Sequence, residues 1–414
     1  MHKKLFFVSI FSLLVWLATS RAQAFSSADS LAQLVNEAWQ IIDTTYYDTT
    51  FHGANWKSLR QKYLSEHYHS KAHAYAAINE MLAQLEQPAT RLLTSEEFAA
   101  FLQEVTGQPH DGLGLLELLS VDLDERTKQL VVVSPVFNSP AARAGLWPHD
   151  RLTHIEEAAT AEMSLKDAMK RLRKPAGQEV KLTITRENQE KHFALRSEAL
   201  TPTASALYTA VKFEQGRKIG YLALRMFLQN SSAELREALI KLVQKKVQGF
   251  ILDLRHNPGG SMASCLQIVG AFLGELPIGK ISSRGVISVL AGQGEKLTNL
   301  PVVVLVNEGT ASAAELLAAA LQSHQRAILV GARTFGKGLV HGFQQLSDGA
   351  MLMVTIGKLQ TLSGEEILRE GITPEVAIDM PPSLTETVAS TNDKQYLEAV
   401  KILARRIAPA GDRK

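Results

Sequence analysis

The segment Val302–Leu321 has the sequence VVVLVNEGTASAAELLAAAL. Its first five residues are β-branched or leucine and predict a strand buried on both faces, and the alanine- and leucine-rich stretch after Ser312 predicts a helix. The polar turn 307–312 joins them. A buried strand that leads through a short turn into a helix is typical of a parallel sheet covered by helices, whose ligands bind at the carboxyl ends of the strands.

The same pattern continues through the second half of the chain. Strands are predicted at Lys218–Leu224, Phe250–Leu254, Val302–Val306 and Ile328–Val330, and helices at Ser231–Lys246, Met262–Leu273 and Ala313–Leu321. Alternation of this kind indicates a mixed, mainly parallel α/β core over residues 199–380. A polar linker and a final helix are predicted within residues 381–414.

The first half of the chain has a different character. Apolar residues at helical spacing predict a helical region over residues 25–104, in which Thr94 and Glu97 can form a capping box. Residues 105–198 contain short predicted strands and two short predicted helices, which together indicate a compact α+β module. The expected fold class is therefore α/β (α+β) and multidomain.

The N-terminus has an export pattern. Lys3 and Lys4 precede a mostly apolar run, Leu5–Ala18, and the small-x-small triplet Ala22-Gln23-Ala24 follows. This order predicts a secretory signal peptide over residues 1–24. An uncleaved anchor is the alternative, but the run is shorter than the roughly 20 residues that span a bilayer. We expect an exported protein, in the periplasm, the extracellular space or a thylakoid lumen, with no stable membrane span after cleavage.

Composition excludes several classes of function. The 414 residues are 45% hydrophobic and 21% charged, which excludes disordered, collagen-like and multi-pass membrane proteins and indicates two to three domains. The formal net charge is +2. Without residues 1–24, 41 basic and 42 acidic residues remain, a net charge of −1, so nucleic acid is not an expected partner. Cys265 is the single cysteine, which excludes an internal disulfide and a cysteine zinc site.

Three segments carry groups suited to catalysis, and each has a structural explanation when taken alone. Ser312 begins a helix whose free N–H groups favour an oxyanion, but Ser312 and Glu315 also fit a capping box. Lys337, flanked by glycines, could take a hydroxyl proton if buried, or be a surface lysine. The turn Arg255–Gly260 could complete an oxyanion hole with the N–H of Ala313, or be an ordinary tight turn.

Together these segments resemble the carboxyl-terminal processing peptidases, or tail-specific proteases. The resemblance rests on LDLRHNPGG at 252–260, GTASAAE at 309–315 and TFGKG at 334–338, in the family's order and with Lys337 25 positions after Ser312. Further likeness lies at 38–39, 90–94, 139–146, 346–349 and 371–376, so the resemblance covers nearly all of the mature chain. The helical start is most similar to the cyanobacterial and plastid branch.

The resemblance implies a PDZ domain at 105–198, inserted between the helical region and a serine protease core at 199–380. It also implies Ser312 as nucleophile, Lys337 as general base and a backbone oxyanion hole near Gly259, Gly260 and Ala313, with no metal or cofactor. The PDZ loop Gly112-Leu113-Gly114-Leu115 is expected to bind the C-terminal carboxylate of a protein or peptide substrate.

The function implied by the resemblance is a serine endopeptidase that cleaves near the C-terminus of exported or lumenal proteins. The photosystem II reaction-centre core precursor is one candidate substrate. The sequence leaves the oligomeric state open, a homo-oligomer included.

The chain departs from the family pattern at several positions. His341 replaces the usual glutamine four residues after the lysine, and it could position Lys337, be structural, or act as the base itself. If it positions the lysine, we expect activity to fall at acidic pH with a step near the free histidine pKa of about 6.5. Ser323 replaces an acidic residue, and His149 replaces glycine.

The altered residues at 323 and 341 motivate a rival function, a non-catalytic PDZ scaffold with a degenerate protease core. His67, His69 and His73 lack a His-Glu-x-x-His pattern and are expected on a solvated helix face rather than at a metal.

Overall fold

The computed structural model describes residues 27–407 except 107, 117–118, 125–126, 162, 202–205 and 382–388, so the predicted signal peptide lies outside the described residues. Side-chain caps begin three of the first helices: Asn55 and Ser70 each accept a backbone N–H, and Thr94 with Glu97 forms the predicted capping box. The elements of this region are α1 (Ser27–Thr45), α2 (Trp56–Leu64), α3 (Lys71–Ala83), β1 (Arg91–Leu93) and α4 (Ser95–Val105). The region predicted to be helical therefore also contains a strand.

The next unit is a small antiparallel sheet with short helices. Its elements are β2 (His110–Gly112), β3 (Val121–Leu123), β4 (Leu130–Val132), α5 (Pro140–Arg143), β5 (Arg151–Ile155), β6 (Ala158–Ala159), α6 (Leu165–Leu172), β7 (Glu179–Arg186), β8 (Gln189–Arg196) and β9 (Glu198–Leu200). The strand order is β3-β4-β5-β7-β8, with β6 on β5, so β3 lies at one edge. Strands β2 and β9 pair with each other where the chain enters and leaves the unit.

The second half contains the predicted α/β core. Its elements are β10 (Leu207–Glu214), β11 (Arg217–Leu224), α7 (Ser231–Gln244), β12 (Gly249–Asp253), α8 (Met262–Leu273), β13 (Pro277–Ser283), β14 (Val286–Ala291), β15 (Val302–Val306), α9 (Ala313–Ser323), β16 (Ala327–Gly331), β17 (Leu339–Gln345), β18 (Met351–Gln360), β19 (Val376–Ala377) and α10 (Lys394–Arg406). One sheet has the order β10-β11-β12-β15-β16-β19 and is parallel from β11 to β19.

Helices cover both faces of this parallel sheet. Helices α7, α8 and α9 share one buried apolar cluster with Leu222, Leu252 and Val304 of the strands. Helix α10 packs with Tyr221, Ile251 and Val303, whose side chains point to the opposite face. All six residues are almost fully buried, because strands covered on both sides must be apolar on both faces.

A second, antiparallel sheet was not predicted from the sequence. Its order is β1-β18-β13-β14, with β17 also paired to β18. Strand β1 pairs with β18 through Arg91–Met353 to Leu93–Met351, so the N-terminal helices attach to the core through this sheet. Among the described residues, no helix is long and apolar enough to cross a membrane.

Candidate active site

Ser312 lies at the turn between β15 and α9. Its backbone has φ 55° and ψ −119°, a conformation that residues with a Cβ rarely adopt and that persists only where the surroundings hold it. The N–H of Ser312 donates to the Glu315 carboxylate at 2.7 Å. The Glu315 half of the predicted capping box is therefore present, and the serine is held on a sharp strand-to-helix turn of the kind that presents nucleophiles.

The loop that follows β12 packs directly against this serine. A Cβ on Gly259 would lie 2.8 Å from the Cβ of Ser312 and 3.1 Å from the backbone nitrogen of Ala313. Asn257 holds the loop in place: its carbonyl accepts the N–H of Ala311 at 2.8 Å and its side chain accepts the N–H of Gly259 at 2.9 Å. The structure therefore brings the predicted oxyanion segment and the predicted nucleophile together.

Gly260 also lies very close to a neighbouring segment of backbone. It has φ 128°, and a Cβ at this position would lie 2.3 Å from the carbonyl oxygen of Phe227. The flanking N–H of Ser261 donates to that same carbonyl at 2.8 Å. The Pro-Gly-Gly turn is thus also packed against the backbone of Phe227, and only glycine fits at position 260.

The Gly259→Ala variant is expected to lose about 10²-fold in kcat, the size of effect seen when one oxyanion donor is lost. The added methyl group would overlap Ser312 and fill the space beside the Ala313 N–H. Gly216→Ala is the matched control, because Gly216 also has positive φ (73°) but no atom within 4 Å of its Cβ position. Steady-state kinetics should show the loss only for Gly259→Ala; equal effects would mean that backbone strain, not the site, is responsible.

The loop 334–338, which holds Lys337, is attached to the turn of Ser312 by Glu315. This carboxylate accepts the Thr334 hydroxyl at 2.6 Å, the Gly336 N–H at 2.7 Å and the Lys337 N–H at 2.9 Å, besides the N–H of Ser312. One side chain therefore fixes both segments that the sequence singled out. The Ser-x-x-Glu spacing pointed to Glu315 as a helix cap, and its bonds to the lysine loop were missed.

Glu315 is fully buried, and burial raises its pKa to about 7, although its four hydrogen bonds oppose that shift. All four partners are donors, so the ionised carboxylate is the form that satisfies them. The protonation state of Glu315 should therefore affect how firmly the two loops are held.

Lys337 is buried, so it is not the surface lysine that the sequence left open. Its ammonium forms an ion pair with Asp122, which lies on β3 of the small sheet. Nearby, the ring of His149 stacks on the ring of Phe335 with centroids 4.6 Å apart and planes 5° from parallel. The small sheet thus packs onto the lysine loop, a contact that sequence patterns could not indicate because Asp122 and Lys337 are 215 positions apart.

His341 lies on β17 and is within the electrostatic influence of Asp122 and Lys337. Its Nδ1 is 3.1 Å from the Thr355 hydroxyl, which in turn is 3.2 Å from the Thr90 hydroxyl. Burial lowers the His341 pKa to about 4. The step in activity predicted near pH 6.5 from this histidine is therefore wrong, because the ring is already neutral well below that pH.

Other positions singled out from the sequence lie outside the turn of Ser312 and the two loops attached to it. Ser323 ends α9, roughly 16 Å along the helix axis from Ser312 at 1.5 Å per residue. The loop 112–115 packs against the start of α5, where the carbonyl of Leu113 accepts the N–H of Ala141 at 3.0 Å. His69 precedes α3 instead of sharing its helix with His73. Among the described residues, no group of three or more His, Cys, Asp or Glu side chains could hold a metal ion.

The polar residues before the Pro-Gly-Gly turn form a buried ion-pair network. Arg255 donates to Asp253 at 2.7 Å and to Asp393, the N-cap of α10, at 2.8 Å. Tyr221 also donates to Asp253, at 2.5 Å. The neighbouring Arg255 charge holds the pKa of Asp253 well below its usual range despite burial. This network fixes where the chain leaves β12, and hence where the turn meets Ser312.

Comparison with protein-family models gives three matches. Residues 218–378 match peptidase family S41, residues 118–196 match a PDZ domain, and residues 28–66 match the tricorn protease C1 domain. A carboxyl-terminal-processing protease of Synechocystis sp. is 36% identical over 397 residues, with 95% of this chain and 90% of that protein covered. The chain belongs to peptidase family S41.

Other relatives agree with this placement. The chloroplastic carboxyl-terminal-processing peptidase 2 of Arabidopsis thaliana is 36% identical, with 82% of this chain and 67% of that protein covered. The solved structure of a photosystem II D1 C-terminal processing protease has a TM-score of 0.75 and 30% identity, covering 92% of this chain and 98% of that one. The S41 chain is thus a serine peptidase of the C-terminal processing type, with an α/β fold and a PDZ domain, and the predicted family and fold class are confirmed.

Proposed function

We propose that this peptidase cleaves near the C-terminus of exported proteins with a Ser312/Lys337 dyad. The observation that carries the proposal is Glu315, whose carboxylate binds the backbone of both residues at once. A residue that only capped the start of α9 would not need to bind the loop of a lysine 22 positions later. A shared, buried anchor keeps nucleophile and base in a fixed relation, as catalysis requires.

The dyad would work by proton transfer and acylation. Neutral Lys337 takes the proton of the Ser312 hydroxyl as the oxygen attacks the scissile carbonyl, and the lysine then gives that proton to the leaving amine. Water hydrolyses the resulting acyl-enzyme by the same route. The backbone N–H groups of Gly260 and Ala313, with Gly259 beside them, are proposed to hold the oxyanion.

Substrate selection is proposed to lie in the PDZ domain. The loop 112–115 would bind a C-terminal carboxylate with its backbone N–H groups, while the tail joins the edge strand β3. The chain is proposed to divide at 25–104, 105–198, 199–380 and 381–414. Most members of the small sheet's apolar cluster lie within 105–198, and Leu93, Phe101 and Met353 join it from the neighbouring regions. His341 is proposed to position Lys337 rather than act as the base. The neutral form of His341 is the one that would do so.

Location and substrate follow from the relatives only as proposals. Cyanobacterial and chloroplastic relatives support export to a periplasm or a thylakoid lumen, directed by residues 1–24. The D1 protein processed by the structural relative is the first substrate to test. The altered residues Ser323 and His341 motivated the alternative of a non-catalytic scaffold. Ser323 argues only weakly for that alternative, since it lies at the far end of α9 from Ser312.

The test is cleavage of an unfolded protein with a free apolar C-terminus, beside the same protein with an amidated C-terminus. Mass spectrometry of the products should place the cut near the C-terminus of the protein with the free carboxylate. The amidated protein should be cut at least about tenfold more slowly, because a loss of about 1.4 kcal/mol in recognition energy lowers binding tenfold. Peptide binding without any cleavage would instead support the scaffold.

A further inference from the structure

We infer that the hairpin of β13 and β14 docks on the surface of a membrane that contains anionic lipids. This inference goes beyond the proposed peptidase function and does not depend on the catalytic dyad. The observation behind it is a group of exposed aliphatic side chains that lies beside basic side chains without an acidic partner. We define the hairpin surface as these six residues: Lys280, Arg284, Val286, Ile287, Val289 and Lys358.

The apolar part of the hairpin surface is concentrated in one short stretch of β14. Val286, Ile287 and Val289 are 63%, 59% and 59% exposed, and nowhere else among the described residues do three large apolar side chains this exposed lie within four positions. Strand β14 is the last strand of its sheet and pairs with β13 alone among the described strands. An exposed apolar edge strand of this kind is a usual site of association.

The register of the sheet places two lysines on the same face as two of these side chains. Ile287 lies opposite Ser282, which in turn lies opposite Lys358 on the next strand. One row farther along, Val289 lies opposite Lys280. Directly paired residues point to the same face, and neighbouring strands are about 4.8 Å apart. An aliphatic edge therefore runs alongside basic side chains that lie one and two strands behind it.

The turn of the hairpin adds a third basic group. Arg284 and Gly285 have φ 52° and 75°, and positive values at both positions are what a two-residue type I′ turn needs. The N–H of Arg284 donates to the carbonyl of Tyr47 at 2.7 Å, and its Nη1 donates to the carbonyl of Tyr46 at 2.9 Å. These bonds hold the turn and its guanidinium against the residues that follow α1.

The basic groups are not neutralised by acidic neighbours. In the part of the chain that the structure describes, Lys280, Arg284 and Lys358 form no ion pair. Arg284 and Lys358 line a cavity of about 360 Å³, together with Asp48 and Glu366. The Asp48 carboxylate is already hydrogen-bonded within its own turn. The cavity therefore has two basic side chains available for an anionic group, and its volume is within the range of pockets that hold small molecules.

A lipid surface fits this arrangement better than a flat protein partner. Side chains alternate along a strand, so Val286 points to the opposite face from Ile287 and Val289. A protein that packs on one face would leave the other exposed, whereas lipids surround the end of an inserted hairpin on both faces. Basic side chains set back from the aliphatic edge then lie at the level of the headgroups. The unpaired edge of β14 limits insertion to this hydrated region, because unpaired backbone groups are costly in hydrocarbon.

The experiment measures sedimentation of the protein with lipid vesicles. It uses the chain without residues 1–24, because the apolar run Leu5–Ala18 would bind lipid by itself. Vesicles of phosphatidylcholine with roughly one third phosphatidylglycerol are compared with vesicles of phosphatidylcholine alone. We expect binding to the anionic vesicles to be at least about tenfold tighter and to weaken as salt is added, since each basic side chain near an anionic surface strengthens binding about fivefold.

The apolar edge is tested by a double variant with a matched control. Ile287→Asp/Val289→Asp should weaken binding to the anionic vesicles about tenfold or more, because charged side chains cannot enter the acyl boundary. Ile240→Asp/Val243→Asp makes the same exchanges at exposed positions of α7 and should bind like the wild type.

The basic row is tested in the same way. Lys280→Gln/Lys358→Gln should also weaken binding about tenfold or more, through the loss of two charges. Lys241→Gln/Lys401→Gln removes two exposed lysines on α7 and α10 and should leave binding unchanged, although the net charge of the protein changes by the same amount.

A fluorescent label tests which part of the chain enters the membrane. Cys265 is the single cysteine and is buried, so a cysteine placed at an exposed position can be labelled alone. An environment-sensitive dye on Val286→Cys should brighten on anionic vesicles, and the same dye on Phe213→Cys, on the edge strand β10, should not respond. This readout keeps every charge in place, so it remains decisive if one of the double variants fails to fold.

Equal binding to both kinds of vesicle, equal weakening by the control variants, or a response of the dye at position 213 alone would overturn the inference. A wild-type dimer that Ile287→Asp/Val289→Asp converts to a monomer, with no change in vesicle binding, would also overturn it. In that case the hairpin surface would join two copies of this chain. Sedimentation equilibrium makes that measurement.

Discussion

Lys337→Arg is expected to abolish peptide cleavage even though arginine keeps a positive charge beside Asp122. A base must be able to become neutral, and the guanidinium, with a pKa above about 12, stays protonated. The expected fall in kcat is roughly 10⁴- to 10⁶-fold, the range found when one member of a nucleophile–base pair is removed. Ser312→Ala should fall as far, and the double variant no further, because the two residues act as a unit.

Two measurements keep this result interpretable. Lys401→Arg is the control, because Lys401 is exposed on α10 and pairs with Glu398 on the same helix. Thermal unfolding should show that Lys337→Arg still folds. Cleavage by Lys337→Arg within tenfold of the wild type would exclude lysine as the base and would make His341 the next candidate.

Glu315→Gln is the second change with a large expected effect. The amide has one acceptor oxygen and an NH₂ group, so it cannot accept all the donors that now converge on the carboxylate. Each buried donor left unpaired costs about 1–3 kcal/mol, and a displacement of about 1 Å at a catalytic group can cost about 10²-fold in rate. We expect kcat to fall about 10²-fold with a smaller change in KM.

Glu97→Gln provides a matched control for this prediction. Glu97 occupies the same position in the capping box of α4, where its carboxylate accepts the N–H of Thr94 at 2.9 Å and also pairs with Lys166 at 2.7 Å. If Glu315 is only a helix cap, the two variants should behave alike. A large loss in kcat for Glu315→Gln alone supports its role in holding the two loops together.

The pH profile separates Glu315 from His341. The pKa of Glu315 is raised to about 7, so this carboxyl group binds a proton more tightly in the folded protein than in the unfolded protein. Its contribution to the free energy of unfolding is therefore lost as pH rises through 7. The ionised form binds the loops best, so activity should rise over the same range while the melting temperature falls. His341→Gln should keep this limb because the His341 pKa is about 4, whereas Glu315→Gln should remove it.

The sequence predicted the parts of the fold that are local. Strands β12 and β15 were predicted because they are continuous apolar runs next to turns and helices, and α8 was predicted with its observed bounds, Met262–Leu273. The antiparallel sheet was missed because its pairing is distant: β1 pairs with β18, some 260 positions later, and neither strand has a turn signal that points to the other. Exposed apolar residues on β14, such as Val286 and Val289, also weaken its periodicity.

In the candidate site, too, local features were predicted and contacts between distant parts of the chain were not. Ser312, Lys337 and the Pro-Gly-Gly turn each follow a strand of one parallel sheet, so topology alone brings them to one edge. Asp122 could not be predicted, because it comes from a separate domain whose docking depends on surface contacts. The bonds from Glu315 to the lysine loop could not be predicted either, since a capping box already explains the spacing of Glu315 from Ser312.

Covalent labelling of Ser312 tests the central claim most directly. A fluorophosphonate bonds irreversibly to a serine oxygen that a base has activated. Digestion with trypsin places Ser312 on the peptide 297–326, which has no internal lysine or arginine. We expect the label on that peptide in the wild-type enzyme and its loss in Ser312→Ala and Lys337→Arg. A label on a different peptide, or equal labelling of Lys337→Arg, would contradict the Ser312/Lys337 dyad.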